Sequence, residues 1–336
     1  MIGRATPKKN FALAAICLAL GALQGRAQSP AIDSRETTAV EYVHSLGSFV
    51  PVWGRGGLYG ADYNPSDEPI IWRIGPDGKR EDIRFSFPGG REVTITGIAE
   101  RPDGGLAITG SAYSDDGKGA TFLSIISSDR ATKTISRVWP FVPQAVTLAH
   151  GGVVWAVGWI RNGESVAANN VLERFDSTGR LLSTSSVKAR GVPWDSWGDA
   201  TDHSSLHALP DRVGWLTTGG EYIEFSLDGK EISRLDVPRP MVVHQEGLAG
   251  FVVADAGRVV AALPTDPAPK SDLTLWLLNL DRRGWTQIPG SLPWNFSLAG
   301  FDGKAVVAAG MPTKAATVAD HAFLRLQLSG LEARGK

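Results

Sequence analysis

The chain has 336 residues, of which 34 are basic and 35 acidic, and its formal net charge is −1. This balance, with no dense run of Lys or Arg, excludes the strong attraction to phosphates on which nucleic-acid binding depends. Its one cysteine, Cys17, lies near the N-terminus and excludes an internal disulfide, a thiolate nucleophile in the later chain and a thiolate-built metal site.

The first 27 residues have the pattern of a secretory signal peptide. Arg4, Lys8 and Lys9 form a basic start, residues 11–23 form an apolar run, and Gly25-Arg26-Ala27 offers a cleavage site. The run is too short to span a bilayer permanently. We therefore expect cleavage after Ala27, export to the periplasm or the extracellular space, and no membrane span in the 309 residues that remain. Because four basic residues and no acidic ones are removed, the mature net charge would be −5.

Residues 28–37 are predicted to be a linker, and residues 38–45 have the composition of a β-strand. Beyond them, a turn that carries Asp recurs every 47 to 53 residues. It falls at Asp77, Asp129, Asp176, Asp228 and Asp281. Asp and Gly tolerate the left-handed backbone of tight turns, so each Asp marks a hairpin. A second set of turns, such as Pro102-Asp103-Gly104-Gly105, alternates with the first.

Four short strands per period of about fifty residues are typical of a β-propeller blade. Six such units fit into residues 38–330, and the last one lacks its fourth strand. Placing the N-terminal strand at the outer edge of that blade would close the ring and protect its edges. The sequence therefore predicts an all-β, six-bladed β-propeller of four-stranded antiparallel blades, followed by a short tail, residues 331–336.

The Pro-Asp-Gly-Gly turns within inner strand pairs, and the Asp-Gly-Lys or Asp-x-x-Gly turns within outer pairs, resemble those of bacterial six-bladed propellers of the TolB-like and NHL-like groups. The resemblance covers nearly the whole mature chain. That superfamily includes protein-binding scaffolds, lactonases and quinone-dependent dehydrogenases. The resemblance thus implies the fold and leaves the activity open.

In a propeller, the turns within inner and outer strand pairs lie at one end, here called the turn face. The connections between second and third strands, and the links between blades, lie at the opposite end, here called the loop face. The turns are uniformly tight, whereas the predicted loops are long and dissimilar. These loops are residues 59–69, 111–120, 159–170, 263–272 and 311–321. Variable loops on a rigid scaffold are where binding usually occurs, which favours the loop face.

Blade 4 departs from the repeat. Its loop is only Thr218-Gly219-Gly220, and a long arm, residues 189–203, precedes it. Trp194, Trp197 and Asp199 of this arm are candidate ligand-binding residues, because aromatic rings are common anchors for proteins and sugars. The alternative is that both tryptophans pin the arm onto its own blade.

Polar residues at the starts of inner strands are predicted to face the central channel. They are His203 and His207 in blade 4, His244 and Glu246 in blade 5, and Asn295 in blade 6. Glu246 and Asn295 could hold Ca²⁺ or another divalent cation that activates a water, as in a lactonase. His203, beside Asp202, could act as a general base. The alternative is that all of these side chains are solvated structural groups.

Four further acidic residues, Asp62, Asp67, Asp115 and Asp116, lie on two neighbouring loops and are candidate calcium ligands. Their spacing matches no known calcium loop, which favours turn and solubility roles instead. No nucleophile elbow, phosphate loop or His-Glu-x-x-His motif is present. We therefore predict a monomeric binding module that needs no cofactor and holds a protein, peptide or carbohydrate. A metal-dependent lactonase-like hydrolase is the alternative hypothesis.

Overall fold

A computed structural model describes residues 31–40, 52–54, 56–62, 69–114, 117–163, 165–189, 205–217, 220–238, 250–255, 258–264, 272–310, 321–329 and 331. Within these ranges the chain forms β-strands numbered β1 to β24, and a 3₁₀ turn at His150–Gly152. The strands pair into six antiparallel sheets of four. Each sheet is one blade.

The first three blades follow one another along the chain. Blade 1 contains β2 (Val52–Gly54), β3 (Gly57–Asp62), β4 (Ile70–Ile74) and β5 (Arg80–Arg84). Blade 2 contains β6 (Gly90–Glu100), β7 (Leu106–Ser114), β8 (Gly119–Ile126) and β9 (Lys133–Arg137). Blade 3 contains β10 (Phe141–Leu148), β11 (Val154–Asn162), β12 (Ser165–Phe175) and β13 (Leu181–Ser186).

The last three blades include the point of closure. Blade 4 contains β14 (Ser205–Ala208), β15 (Arg212–Leu216), β16 (Glu221–Ser226) and β17 (Glu231–Asp236). Blade 5 contains β18 (Gly250–Asp255), β19 (Arg258–Pro264), β20 (Leu273–Asn279) and β21 (Gly284–Leu292). Blade 6 contains β22 (Phe296–Phe301), β23 (Val306–Gly310), β24 (His321–Leu328) and, as its outermost strand, β1 (Ile32–Val40).

The six blades form a closed ring. The first strand of each blade contacts the first strand of the next, and β22 of blade 6 contacts β2 of blade 1. The predicted fold, a six-bladed propeller whose last blade is completed from the N-terminus, is thereby confirmed.

The closing strand begins earlier than its sequence suggested. β1 starts at Ile32, within the segment predicted to be a linker, and ends at Val40. Its antiparallel register runs from Ile32 opposite Leu328 to Val40 opposite His321. A backbone hydrogen bond continues this pairing one residue beyond the strand, since the Ser329 amide donates to the Ala31 carbonyl at 2.8 Å. Residues 41–45, the remainder of the predicted strand, lie outside the described residues.

The repeated Asp residues shape the turn face by local hydrogen bonds. The Asp77, Asp129 and Asp176 carboxylates each accept a bond from the backbone amide two residues later, at 3.2, 2.9 and 2.9 Å. This is the Asx turn that Asp favours. In blade 5 the acceptor is Asn279, which bonds the Arg282 amide at 3.0 Å, rather than Asp281. Local chemistry thus accounts for the repeat.

Apolar side chains fill every boundary between adjacent blades. Six clusters of buried residues lie there, one for each pair of neighbours around the ring. Trp72 packs between blades 6 and 1, Trp155 between blades 3 and 4, and Trp276 against the cluster of blades 4 and 5. These tryptophans therefore contribute to the packing between blades.

Polar contacts also cross each boundary. From blade 1 onward, they are Tyr59 Oη to Glu100 Oε1 at 3.0 Å, Arg101 Nη1 to Ser177 O at 3.4 Å, Arg174 Nη2 to Leu227 O at 2.6 Å, Trp285 Nε1 to Asp236 O at 3.1 Å, Arg35 Nη2 to Ser291 O at 2.9 Å, and Arg325 over the Trp53 ring at 6.0 Å. Burial, and then the neighbouring Glu100 carboxylate, raise the pKa of Tyr59 to about 12, so the phenol stays a donor. The ring is therefore held by directional bonds as well as by apolar packing.

Two of the predicted long loops are mostly strand. β7 and β8 pair as far as Tyr113 opposite Gly119, and β11 and β12 pair as far as Asn162 opposite Ser165. The described parts of the predicted loops at 111–120 and 159–170 thus belong mainly to extended hairpins, because backbone pairing continues into them. Blades 2 and 3 carry ordered projections onto the loop face.

Candidate functional site

Two of the eight predicted ligand-binding residues, His207 and Asn295, lie within the part of the chain that the structure describes. The other six lie outside the described residues, and their roles remain predictions. They are Trp194, Trp197, Asp199, His203, His244 and Glu246. The candidate general base and the candidate cation ligand Glu246 are among them.

His207 lies in β14, the innermost strand of blade 4, as the third of its four residues, and therefore close to the turn that joins β14 to β15 rather than at the start of the strand. It pairs with Gly214 on β15, and its ring stacks on Tyr222 with centroids 6.2 Å apart. Both ring nitrogens are shielded from solvent. Burial lowers the pKa of His207 well below its ordinary value of 6.5, so the imidazole is neutral at physiological pH.

Gly214 makes this arrangement possible. A Cβ at this position would overlap the Tyr222 hydroxyl and would lie 2.9 Å from His207 Nε2. Burial also raises the pKa of Tyr222 above its ordinary value of 10.0. A neutral imidazole and a neutral phenol are therefore in contact above the backbone of Gly214, which has no side chain. Such a pair can donate and accept hydrogen bonds and carries no net charge.

Asn295 lies in the turn that leads into β22, the innermost strand of blade 6. The Phe296 amide closes this turn on the Pro293 carbonyl at 2.9 Å. A Cβ at Gly310 would overlap the Asn295 carbonyl, so the turn packs directly against β23. Asn295 is thus placed by backbone contacts at the loop-face end of blade 6, where the sequence predicted it.

The described residues hold no group of three or more His, Cys, Asp or Glu side chains arranged to bind a metal ion. Asp62, one of the four acidic residues weighed as calcium ligands, uses both carboxylate oxygens within blade 1. Trp72 Nε1 donates to Oδ1 at 2.8 Å, and Arg80 Nη2 donates to Oδ2 at 2.7 Å. Its carboxylate is therefore a structural acceptor. Asp67, Asp115 and Asp116 lie outside the described residues.

The loop face of blade 3 presents aromatic residues that the sequence argument did not select. Trp139, in the link from blade 2, is 43% exposed, the largest exposed fraction of any described tryptophan. The Arg161 amide donates to the Pro140 carbonyl at 2.9 Å and ties this link to β11. On β11, Trp159 pairs with Val142 and is partly buried. An exposed indole on a fixed backbone is a preformed contact surface. The Trp139-Pro140 pair between two strands was the available signal.

Glu173, in β12, was also missed. It is 6% exposed, and Val171 and Phe175 on the same face of its strand belong to the apolar cluster between blades 2 and 3. The Thr184 hydroxyl donates a hydrogen bond to Glu173 Oε1 at 3.1 Å. Burial raises the pKa of Glu173 from 4.5 to about 7, and the Thr184 bond opposes that rise only in part. A lone Glu among the apolar positions of a strand was the signal.

We expect Glu173 to make folding stability fall as the pH rises from about 4.5 to about 7. In this window the unfolded chain has released the proton that the folded chain still holds, so the contribution is complete at low pH and lost above pH 7. Glu173→Gln keeps an acceptor for Thr184 and removes the charge. At pH 8 it should raise the free energy of unfolding by about 2 kcal/mol.

The measurement is urea unfolding of both proteins at pH 5 and pH 8. The stability difference should be small at pH 5 and grow toward pH 8. Glu231→Gln, at an exposed carboxylate paired with Arg234, serves as the control and should show no such growth. If the stability difference between the Glu173→Gln variant and the native protein were the same at pH 5 and pH 8, the carboxyl of Glu173 would not be buried in its protonated form.

No known protein family matches the chain, and no curated protein is similar to it in sequence. Solved structures resemble it in fold. The WD40 domain of Pan2 from Neurospora crassa superposes with a TM-score of 0.51 at 9% identity, over 88% of this chain and 97% of that domain. The β-propeller domain of the Trilobed protease from Pyrococcus furiosus gives a TM-score of 0.43 at 10% identity, over 68% and 66%.

The likeness to the Pan2 domain agrees with the strand order in the architecture that it gives. The chain is a six-bladed β-propeller. Such a fold is compatible with a binding or scaffold module. In the part of the chain that the structure describes, no helix is long and apolar enough to cross a membrane.

Proposed function

We propose that this protein is an exported binding module that holds a protein, peptide or carbohydrate on its loop face. The observation that carries the proposal is Trp139, an indole 43% exposed on the loop face beside the ordered hairpin of blade 3. The opposite face is closed by tight Asx turns and offers no comparable aromatic among its described residues. The module acts as a monomer without a cofactor, in the periplasm or outside the cell.

The state of the two described candidate residues supports binding over catalysis. The His207 imidazole is neutral and shielded from solvent, and Asn295 lies in a turn that is closed by a backbone hydrogen bond. Catalysis by a hydrolase needs a base within hydrogen-bond distance of water or substrate. An exposed aromatic ring needs only a complementary surface, and such rings carry much of the energy in binding sites.

The test is a screen of the mature chain, starting at Gln28, against an oligosaccharide array and a displayed peptide library. Trp139→Ala should weaken binding of the recovered ligands about tenfold or more. Lys79→Ala, on the turn face, is the control and should leave affinity unchanged. Equal affinity of the Trp139 variant would overturn the assignment to this face. Metal-dependent turnover of a lactone would instead support the hydrolase.

A further inference from the structure

The outermost strands of the blades differ in how they are protected against pairing with another chain. Edge strands are usually shielded by charged side chains, proline or bulges. Charged residues occur along β5, β9, β17 and β1. β21 is uncharged, but Pro289 interrupts it, and Arg35 of β1 bonds the Ser291 carbonyl. β13, with the sequence Leu-Leu-Ser-Thr-Ser-Ser, has neither charge nor proline.

β13 also exposes apolar area. It pairs with β12, and no other described strand pairs with it. Leu181 is 50% exposed and Leu182 is 44% exposed. The register shifts between Arg174 and Phe175 of β12, so the bulge lies at the start of β13. From Ser183 to Ser186 the register is regular, which leaves a flat, uncharged edge.

The outward hydrogen-bonding groups of this edge follow from the ladder. The Val187 amide bonds inward to the Asn170 carbonyl at 2.9 Å. Since successive residues of a strand point their amides to opposite sides, the amides of Thr184 and Ser186 point outward. Two donors and their carbonyls are therefore placed to continue the sheet.

Basic side chains stand at both ends of the edge. The Arg180 side chain is 78% exposed and contacts the Asp176 carboxylate at 3.0 Å, and Lys188 is exposed. Arg180 and Lys188 are eight positions apart in the sequence, which a fully extended chain spans in about 26 Å. A second copy of β13 paired antiparallel would bring Arg180 close to Lys188 at each end, and like charges opposite each other are destabilising. Acidic residues at those places would be attracted instead.

We propose that β13 binds an extended peptide by strand addition, and that the peptide has an uncharged, β-branched centre and acidic residues at both ends. The peptide adds a fifth strand to blade 3 through backbone bonds to Thr184 and Ser186, as in other edge-recognition domains. This site lies on the rim of the propeller. It is therefore distinct from the proposed loop-face site and does not depend on it.

The probe is a fluorescein-labelled synthetic peptide, Asp-Asp-Val-Thr-Val-Thr-Asp-Asp, titrated into the mature chain and followed by anisotropy. Ser186→Pro removes one outward donor without touching the inward ladder, and prolines are tolerated at such edge positions. It should weaken binding about tenfold or more. The double variant Arg180→Glu, Lys188→Glu should prefer a peptide with lysine at both ends. Lys230→Glu, on the neighbouring blade, is the matched charge control and should change nothing.

Each other outcome overturns the proposal. If the native chain bound acidic and lysine-flanked peptides equally, Arg180 and Lys188 would not select acidic peptide ends. If the native chain self-associated and Ser186→Pro abolished this self-association, β13 would pair with a second copy of the chain instead of with a peptide. Slow amide exchange at Thr184 and Ser186 without peptide would mean that the chain covers its own edge. Trp139→Ala should leave binding of this peptide unchanged. Loss of peptide binding in the Trp139→Ala variant would place the peptide on the loop face and would overturn the β13 proposal, independently of whether the loop-face proposal itself holds.

Discussion

A chain that begins at Glu41, and so lacks β1, is expected to lose about 5 kcal/mol or more of folding free energy relative to one that begins at Gln28. β1 supplies the fourth strand of blade 6 and pairs with β24 in regular register from Ser34 to Val40, after a register shift between Ile32 and Ser34. Without it the ladder groups of β24 would face solvent, and the bond from Arg35 to Ser291 of blade 5 would be lost. The expected loss is comparable with the total stability of many domains.

Guanidinium unfolding of the two chains measures the effect. A synthetic peptide of residues 28–40, added in trans, should restore much of the stability because it can occupy the same edge. Arg35→Ala in the longer chain is the control for the single side chain and should cost no more than about 1 kcal/mol. Equal midpoints for the long and short chains would show that blade 6 does not need its N-terminal strand.

Gly158→Ala is expected to destabilise the protein by about 3 kcal/mol or more, although it adds one methyl group. Gly158 lies in β11 opposite Pro143, beside a register shift in β10. A Cβ there would overlap the Val142 carbonyl oxygen and lie 2.8 Å from its carbon. Both atoms belong to the backbone, so rotation of a side chain cannot relieve the clash. The bulged inner strand of blade 3 would have to move.

Gly284→Ala provides the matched comparison. Gly284 also lies in a strand, β21, but a Cβ there would lie 3.8 Å from the Arg282 carbonyl oxygen, which is an ordinary contact distance. This variant should change the free energy of unfolding by less than about 1 kcal/mol, since alanine at an unstrained position restricts the unfolded chain. Similar unfolding midpoints for both variants would contradict the close approach at Gly158.

The candidate site was predictable only in part. The placement of His207 in an inner strand, and of Asn295 just before one, follows from the strand order, which the spacing of the turns predicts. Their surroundings do not follow from it. The neutral state of His207 depends on Tyr222 and on the missing Cβ of Gly214, which come from other strands of blade 4. The burial of Glu173 depends on blade 2, which is distant in sequence.

The sequence by itself determined the number of blades, the strand order and the turn face. These features rest on interactions between residues two to five positions apart, such as the Asp176 carboxylate with the Thr178 amide, and such interactions recur wherever the motif recurs. Only the tertiary structure decided that the closing strand begins at Ile32, that two predicted loops are hairpins, and that Glu173 is buried. Each of these depends on which surface another segment brings alongside. A local sequence pattern cannot encode that choice, because burial and strand register depend on segments that are distant in the sequence and come into contact only on folding.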